Sequence, residues 1–166
     1  SEVGIGTTFV VEIPFEIAPP PEEFPVKEAA PSGDIHGLKL LLAEDNELNA
    51  EIAETLLTDA GAHVTIVKNG KKAVDCFEAA PPGTFDAILM DVMMPVMDGL
   101  AATRAIRAIP RADARQIPIL AMTANAFEED ARQCLAAGMN VHLAKPLQMD
   151  KVLAALMECC GKKRDL

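Results

Sequence analysis

An α/β fold, with a parallel sheet and helices on both faces, is the expectation for this sequence. Three observations lead there. Short, nearly all-apolar runs recur five times from Leu38 onward, and each is followed by a stretch with helical periodicity. Gly or Pro ends most of the helical stretches. The strand-like runs are apolar rather than alternating, which marks strands covered on both faces.

The elements read as follows. LKLLLA, residues 38–43, is the first strand. Asn46 to Ala60 is helical, with Leu48, Ile52, Leu56 and Ala60 at four-residue steps, and Gly61 stops it. HVTIVK, 63–68, is the second strand, and Gly70 to Ala80 a helix ended by Pro81 and Pro82. FDAILM, 85–90, is the third strand, followed by a helix from Gly99 to Ala108 that Pro110 ends. IPILAMT, 117–123, is the fourth strand, with a helix from Phe127 to Ala137 closed by Gly138. NVHLA, 140–144, is the fifth strand, and Leu147 to Cys160 the last helix.

Upstream the pattern differs. Residues 1–16 hold a Gly-x-Gly turn and an alternating run, Thr8 to Ile13, closed by Pro14. Such a lone strand cannot bury its own face. Residues 17–37 carry five prolines and several acids without periodicity, and read as an extended linker. We expect domain boundaries at 1–16, 17–37, 38–161 and a tail at 162–166.

Composition removes several function classes. The net charge of −10 argues against nucleic acid as a direct partner. Residues 1–37 hold seven acids and one Lys, so the rest of the chain is only mildly acidic. Cys76, Cys134, Cys159 and Cys160 fit neither a metal-binding spacing nor a disulfide framework. Cys159 and Cys160, late in an apolar helical run, read as helix packing, and a reducing cytosol is the simplest compartment, so a cytoplasmic location is expected. No apolar run is long enough to span a membrane, and no direct membrane contact is expected.

A doubly wound sheet places its site outside the C-terminal strand ends. Those ends carry Glu44 and Asp45, then Asp91, then Thr123, then Lys145 followed by Pro146. Clustered carboxylates repel one another unless a cation relieves them, and an all-oxygen donor set favours Mg²⁺. Lys145 adds a second positive charge, and Thr123 a hydroxyl donor. Phosphoryl transfer needs mainly positioning and charge neutralisation, and Asp91 is placed to be the nucleophile. Taken singly, each residue has a plainer reading. Asp45 or Asn46 could simply cap the first helix, Thr123 could end a strand or cap a helix, and Lys145 could be a solvated surface lysine.

Taken together, LLLAEDNELNAEI, ILMDVMMPVMDGL, ILAMTANA and HLAKPL resemble the four signature segments of response-regulator receiver domains, over about residues 38–160. The resemblance implies a flavodoxin-like (βα)5 fold with strand order 2-1-3-4-5. It implies that Asp91 is the phosphoacceptor. Asp45 and Asp91 would hold Mg²⁺ directly, Glu44 through water, and Met93 through its backbone carbonyl. Thr123 would bond the phosphoryl oxygen and move as a switch. Lys145 would form an ion pair, with a cis peptide to Pro146. Pro95 and Gly99 would shape the loop after Asp91. His142 stands where the family often has Tyr or Phe as the partner in the switch, which departs from the aromatic mechanism.

GIGTTFVVEIPF, near the N-terminus, resembles the end of a histidine-kinase ATP-binding domain. With the linker and receiver pattern, this implies the C-terminal part of a hybrid sensor kinase. The fragment lacks the rest of an ATP site, so it is not expected to use ATP. The implied partners are a histidine kinase domain or a histidine phosphotransfer protein, and a dimer is left open. Phosphorylation is expected to reshape the face made by the last two helices and the fifth strand. The rival readings are a receiver-like interaction module that is never phosphorylated, and a Mg²⁺-dependent phosphohydrolase. The second would want another acid two residues after Asp91, where this sequence has Met93.

Overall fold

The computed structural model describes residues 35–124 and 128–161. The expected kinase remnant, nearly all of the linker and the tail at 162–166 lie outside the described residues. Five parallel strands form one sheet in the order β2-β1-β3-β4-β5. They are β1 (Lys39–Ala43), β2 (His63–Val67), β3 (Ala87–Asp91), β4 (Ile119–Thr123) and β5 (Val141–Ala144). The helices are α1 (Glu47–Asp59), α2 (Gly70–Ala79), α3 (Gly99–Ala108), α4 (Ala112–Gln116), α5 (Glu128–Ala137) and α6 (Met149–Gly161).

The period-two geometry of a strand splits the core into two layers. Leu40, Leu42, Leu89, Leu120 and Leu143 pack on one face, against Leu57 of α1 and Val152 and Leu156 of α6. Leu41, Ile88, Met90 and Ile119 pack on the other, against Phe77 of α2 and Ile106 of α3. This is why the central strands read as unbroken apolar runs: every residue of β3 and β4 is buried. The hydrophobic effect of both layers thus holds the sheet edge that carries the site.

Several boundaries differ from the sequence reading. Asp91 is the last residue of β3 rather than the first residue after it, while Thr123 ends β4 as expected. Ile35, placed in the linker by composition, is buried in the α1/α6 layer, and the Gly37 N–H donates to the Gly61 carbonyl at 2.8 Å. Helix α1 buries Ala50, Ala53 and Leu57, so the four-residue repeat of Leu48, Ile52 and Leu56 points outward.

The sequence reading also ran strand four back to Ile117 and missed α4. Two charged residues hold that short helix. Arg111 donates from Nη1 to the carbonyls of Phe77, Glu78 and Ala80, capping the end of α2, and its guanidinium lies 4.7 Å from the centre of the Phe77 ring. From Nε and Nη2 it clasps Asp113 at 3.0 and 2.7 Å. Asp113 also accepts from the Gly83 N–H at 3.0 Å.

The Arg111 hydrogen bond holds the Asp113 carboxyl well below the usual carboxylate range. An acid depressed in the folded state adds stability above its unfolded pKa, and that stability is lost as pH falls. Asp113→Asn is therefore expected to lower the melting temperature at pH 7. The gap from the unaltered chain should close progressively below about pH 4. Thermal melts across that range check both statements; a gap that stays constant with pH would contradict the electrostatic account.

Candidate functional site

Sheet order decides which strand ends meet. β1 and β3 are neighbours, with Ala43 opposite Met90, so Glu44 and Asp45 leave β1 beside Asp91. β4 and β5 continue the edge, with Thr123 opposite Ala144, so Lys145 follows directly. The Lys145 N–H donates to the Thr123 carbonyl at 2.7 Å, which ties the last two strand ends together.

The centre of the site is one ammonium between two carboxylates. Lys145 Nζ donates to Asp91 Oδ2 at 2.6 Å and to Glu44 Oε2 at 2.6 Å. Both carboxylates are deep, with Glu44 3% and Asp91 4% exposed. Carboxylate oxygens of Glu44, Asp45 and Asp91 can all lie within 4.8 Å of one another. Burial pushes the Asp91 carboxyl up; the hydrogen bond and charge of Lys145 oppose this without cancelling it, and the Glu44 charge adds to the rise. Burial alone would pull the Lys145 ammonium down, but the bonds to Asp91 and Glu44 outweigh it and hold it up. Lys145 is thus a fixed cation, and Asp91 an anion short of compensation. Two buried acids sharing one cation favour a further positive charge.

Backbone and side-chain donors orient the acids. Asp91 Oδ1 accepts from the Met93 N–H at 3.1 Å. Glu44 Oε1 accepts from the Asn46 N–H at 3.3 Å and from Asn49 Nδ2 at 3.4 Å. Asn46, rather than Asp45, caps α1 by accepting from the Asn49 N–H at 3.1 Å. That leaves Asp45 as the exposed member of the acidic cluster.

The loop after β3 is tightly built. Val96 has φ of 70°, an uncommon conformation for a β-branched residue, next to Pro95, whose carbonyl accepts from the Met97 N–H at 2.8 Å. The Gly99 N–H returns to the Val92 carbonyl at 3.0 Å, and a side chain at Gly99 would collide with the Asp91 carbonyl. Gly70, at the start of α2, supports the same loop: its N–H donates to the Met97 carbonyl at 3.0 Å, and a Cβ there would lie 2.5 Å from that oxygen. The Lys145–Pro146 peptide is cis. Thr123 is buried beside the cluster. His142 is half-buried in β5, opposite Ala121, and its Nε2 is shut from solvent without a hydrogen-bond partner among the described residues.

The sequence reading named the acids, Thr123 and Lys145, but missed Asn49 and Gly70. Asn49 had a usable signal, since it sits in the first turn of the helix that follows the acidic pair. Gly70 had none beyond opening a helix.

A family model described as the response regulator receiver domain matches residues 40–157. The chain belongs to this family. Among relatives of this receiver domain, hybrid signal transduction histidine kinase I of Dictyostelium discoideum is 41% identical over 111 residues, covering 66% of this chain and 6% of that protein. Sensor protein GacS of Pseudomonas syringae pv. syringae is 39% identical over 125 residues, covering 74% of this chain and 13% of that protein. The chain therefore spans only a small part of the curated relatives it matches. Among solved structures, the receiver domain of a sensor histidine kinase from Pseudomonas aeruginosa, crystallised with a magnesium ion coordinated in its active site cleft, superposes with a TM-score of 0.68 at 43% identity, covering 75% of this chain and 98% of that one. The receiver domain of a Saccharomyces cerevisiae response regulator, co-crystallised with a histidine phosphotransfer protein, gives a TM-score of 0.68 at 26% identity, covering 77% and 92%.

The receiver's central cation offers a direct test. Lys145→Met leaves Asp91 and Glu44 buried without compensation, at an expected cost of about 3 kcal/mol at neutral pH. Asp91, already raised, should then rise further. An acid raised in the folded state loses stability as pH increases, so the deficit should be largest near pH 7 and shrink toward pH 4. Urea melts in EDTA at several pH values would measure this; a deficit that does not shrink on acidification would remove the electrostatic explanation.

Proposed function

We propose that this receiver domain accepts a phosphoryl group from a phosphohistidine onto Asp91, in a Mg²⁺-dependent reaction within a phosphorelay. The observation that carries the reading is the buried Asp91 carboxylate, clamped by Lys145 and backed by Glu44 and Asp45. The donor set suits Mg²⁺: hard oxygen ligands, crowded acids and one open, exposed carboxylate at Asp45. Asp45 and Asp91 would be the direct protein ligands, with the Met93 carbonyl, and Glu44 would act through water. When bound, the ion neutralises charge on the acids and on the phosphoryl oxygens.

The chain's own residues do the rest. An Asp91 oxygen attacks phosphorus, a P–O bond forms, and the P–N bond to histidine breaks with its electron pair leaving on the imidazole. Met93 N–H and Lys145 hold the Asp91 carboxylate in a fixed orientation for attack. Lys145 then faces both the new aspartyl phosphate and Glu44. Thr123 donates its hydroxyl to a phosphoryl oxygen, and its shift, together with His142, biases the face of α5, β5 and α6. The parent protein is read as a hybrid sensor histidine kinase acting in the cytoplasm, with a kinase domain or a histidine phosphotransfer protein as partner. Among the described residues, no helix is long and apolar enough to cross a membrane.

Intact-mass spectrometry after incubation with acetyl phosphate and Mg²⁺ tests the reading. One phosphoryl group should be gained by the unaltered chain, and none by Asp91→Asn or in EDTA. If the chain also fails to form a beryllofluoride complex at Asp91, the unphosphorylated interaction module takes its place.

A further inference from the structure

The sheet face opposite α1 and α6 carries a concentration of positive charge that the acceptor chemistry does not use. Residues 99–118, from the start of α3 through α4, hold Arg104, Arg107, Arg111 and Arg115 against a single acid, Asp113. The rest of residues 35–161 holds sixteen acids and seven bases, so the excess is local. Arg111 takes Asp113 for itself. Arg107 bonds neutral acceptors: its guanidinium donates to the Gly138 and Ala114 carbonyls at 3.0 and 2.8 Å, and to Asn140 Oδ1 at 3.0 Å. Arg104 lies one turn back on α3, and Arg115 follows Ala114 on α4, so both flank that guanidinium. Both are exposed, and neither has a hydrogen-bond or ion-pair partner among the described residues.

Position and charge select what covers this face. β1, β3 and β4 are parallel neighbours, so their first residues share the sheet edge opposite the acceptor site. The Lys39 N–H donates to Asp86 Oδ2 at 2.9 Å, and the Ile88 N–H to the Pro118 carbonyl at 2.9 Å. The start of β1 is thus joined, across β3, to the segment that follows α4. Three adjacent strands span only about 10 Å. The upstream chain meets the domain at this same edge, through buried Ile35. Residues 17–34 hold Glu22, Glu23, Glu28 and Asp34 against Lys27 alone. At about 3.1 Å per residue, an extended Pro-rich chain from Ile35 back to Glu22 reaches roughly 40 Å, ample to cross the edge. α1 carries four acids and no base, so like charge turns the segment away from that side. A tethered segment also meets the arginines at an effective concentration in the millimolar range, which a free acidic partner or a second copy's α1 must match.

We propose that Arg104, Arg107 and Arg115 form a docking face for residues 17–34 of this same chain, which they hold through the carboxylates of Glu22, Glu23 and Glu28. The contact does not depend on the acceptor reading. It lies at the other end of the sheet, leaves Asp91 uncovered, and fixes the direction from which the upstream chain reaches the domain. Guanidinium groups suit the role, because their planar forks pair with carboxylates two bonds at a time. Each exposed ion pair is weak by itself, so the hold comes from several acting together on a tethered segment. Salt therefore loosens it.

A charge-swap series on the full chain, read by nitrogen-15 NMR, tests this. One variant reverses the segment, with Glu22→Lys, Glu23→Lys and Glu28→Lys together. A second reverses the face, with Arg104→Glu and Arg115→Glu, both exposed positions where Glu is a good helix former. A third carries all five changes. Arg107 stays, because its bonds hold α4 and the end of α5. Circular dichroism melts check that each variant folds, and the first cannot disturb a packed side chain of the described domain. Reversing the segment should shift the Arg104 and Arg115 Nε–H signals and the amides of 104–116, and leave α1 in place. Those shifts should shrink severalfold from about 0.01 M to about 1 M salt, where the screening length falls from roughly 30 to 3 Å. The proton–nitrogen NOE of residues 22–28 should be high in the unaltered chain, fall in either single reversal, and recover when both sides are reversed. Signals at 104–116 that ignore the segment's charge would overturn the proposal. So would an NOE that does not recover in the five-fold variant, or shifts that grow with chain concentration, which would give the face to a second copy.

Discussion

One ammonium organises this sheet edge. Lys145 reaches Asp91, 54 positions earlier, and Glu44, 101 positions earlier, at 2.6 Å each. It thereby joins the ends of β1, β3 and β5. Without a cation there, two buried acids would face each other at the edge of an apolar core, where each would be costly. With it, the cluster is held together but still lacks positive charge, because burial keeps the Asp91 carboxyl raised even beside the lysine. The shortage that costs stability is thus the same one that leaves the site open to a further cation. A fully neutralised site would be more stable, and would have less reason to take up a cation or a phosphoryl group.

The rest of the architecture brings those ends into place. The order β2-β1-β3-β4-β5 puts β1 next to β3, which no chain-order arrangement would do. Apolar layers on both faces fix the register, since slipping a strand by one residue would exchange its two buried sets. Tight turns then set the loops. Gly99 brings the start of α3 against the Asp91 carbonyl, and Gly70 brings the start of α2 against Met97. Either position with a side chain would force the loop after β3 away from its helices. The loop that carries the Met93 donor is therefore held by helices on the face opposite α1.

Sequence made the strands and the acid cluster legible because both depend on local rules. Apolar runs bounded by Gly and Pro mark buried parallel strands, and their C-terminal ends identify the site without knowledge of any contact. What stayed hidden depends on long-range contacts. Arg111 looks like any arginine between two turns, yet it caps α2 across more than thirty positions and builds α4 through Asp113. Ile35 looks like linker because its neighbours are Pro-rich, and only the packed core reveals where it goes. Asn49 gains its role from Glu44 alone, a side-chain contact that composition cannot carry.

Helix α1 shows how a correct pattern can point the wrong way. Leu48, Ile52 and Leu56 are the larger apolar residues at a four-residue step, and spacing alone gives no reason to turn them outward. The structure instead buries the smaller Ala50 and Ala53, with Leu57, against the sheet. Small residues let α1 lie close to the sheet, and Glu44, just past β1, accepts from the Asn46 N–H and Asn49 Nδ2 at the start of the helix. The large residues are displaced to the rim of the acceptor site as a result. The inner face of the helix thus packs on the sheet, and the outer face leaves an apolar stripe beside the acidic cluster. An exposed stripe of this size costs solubility when nothing covers it.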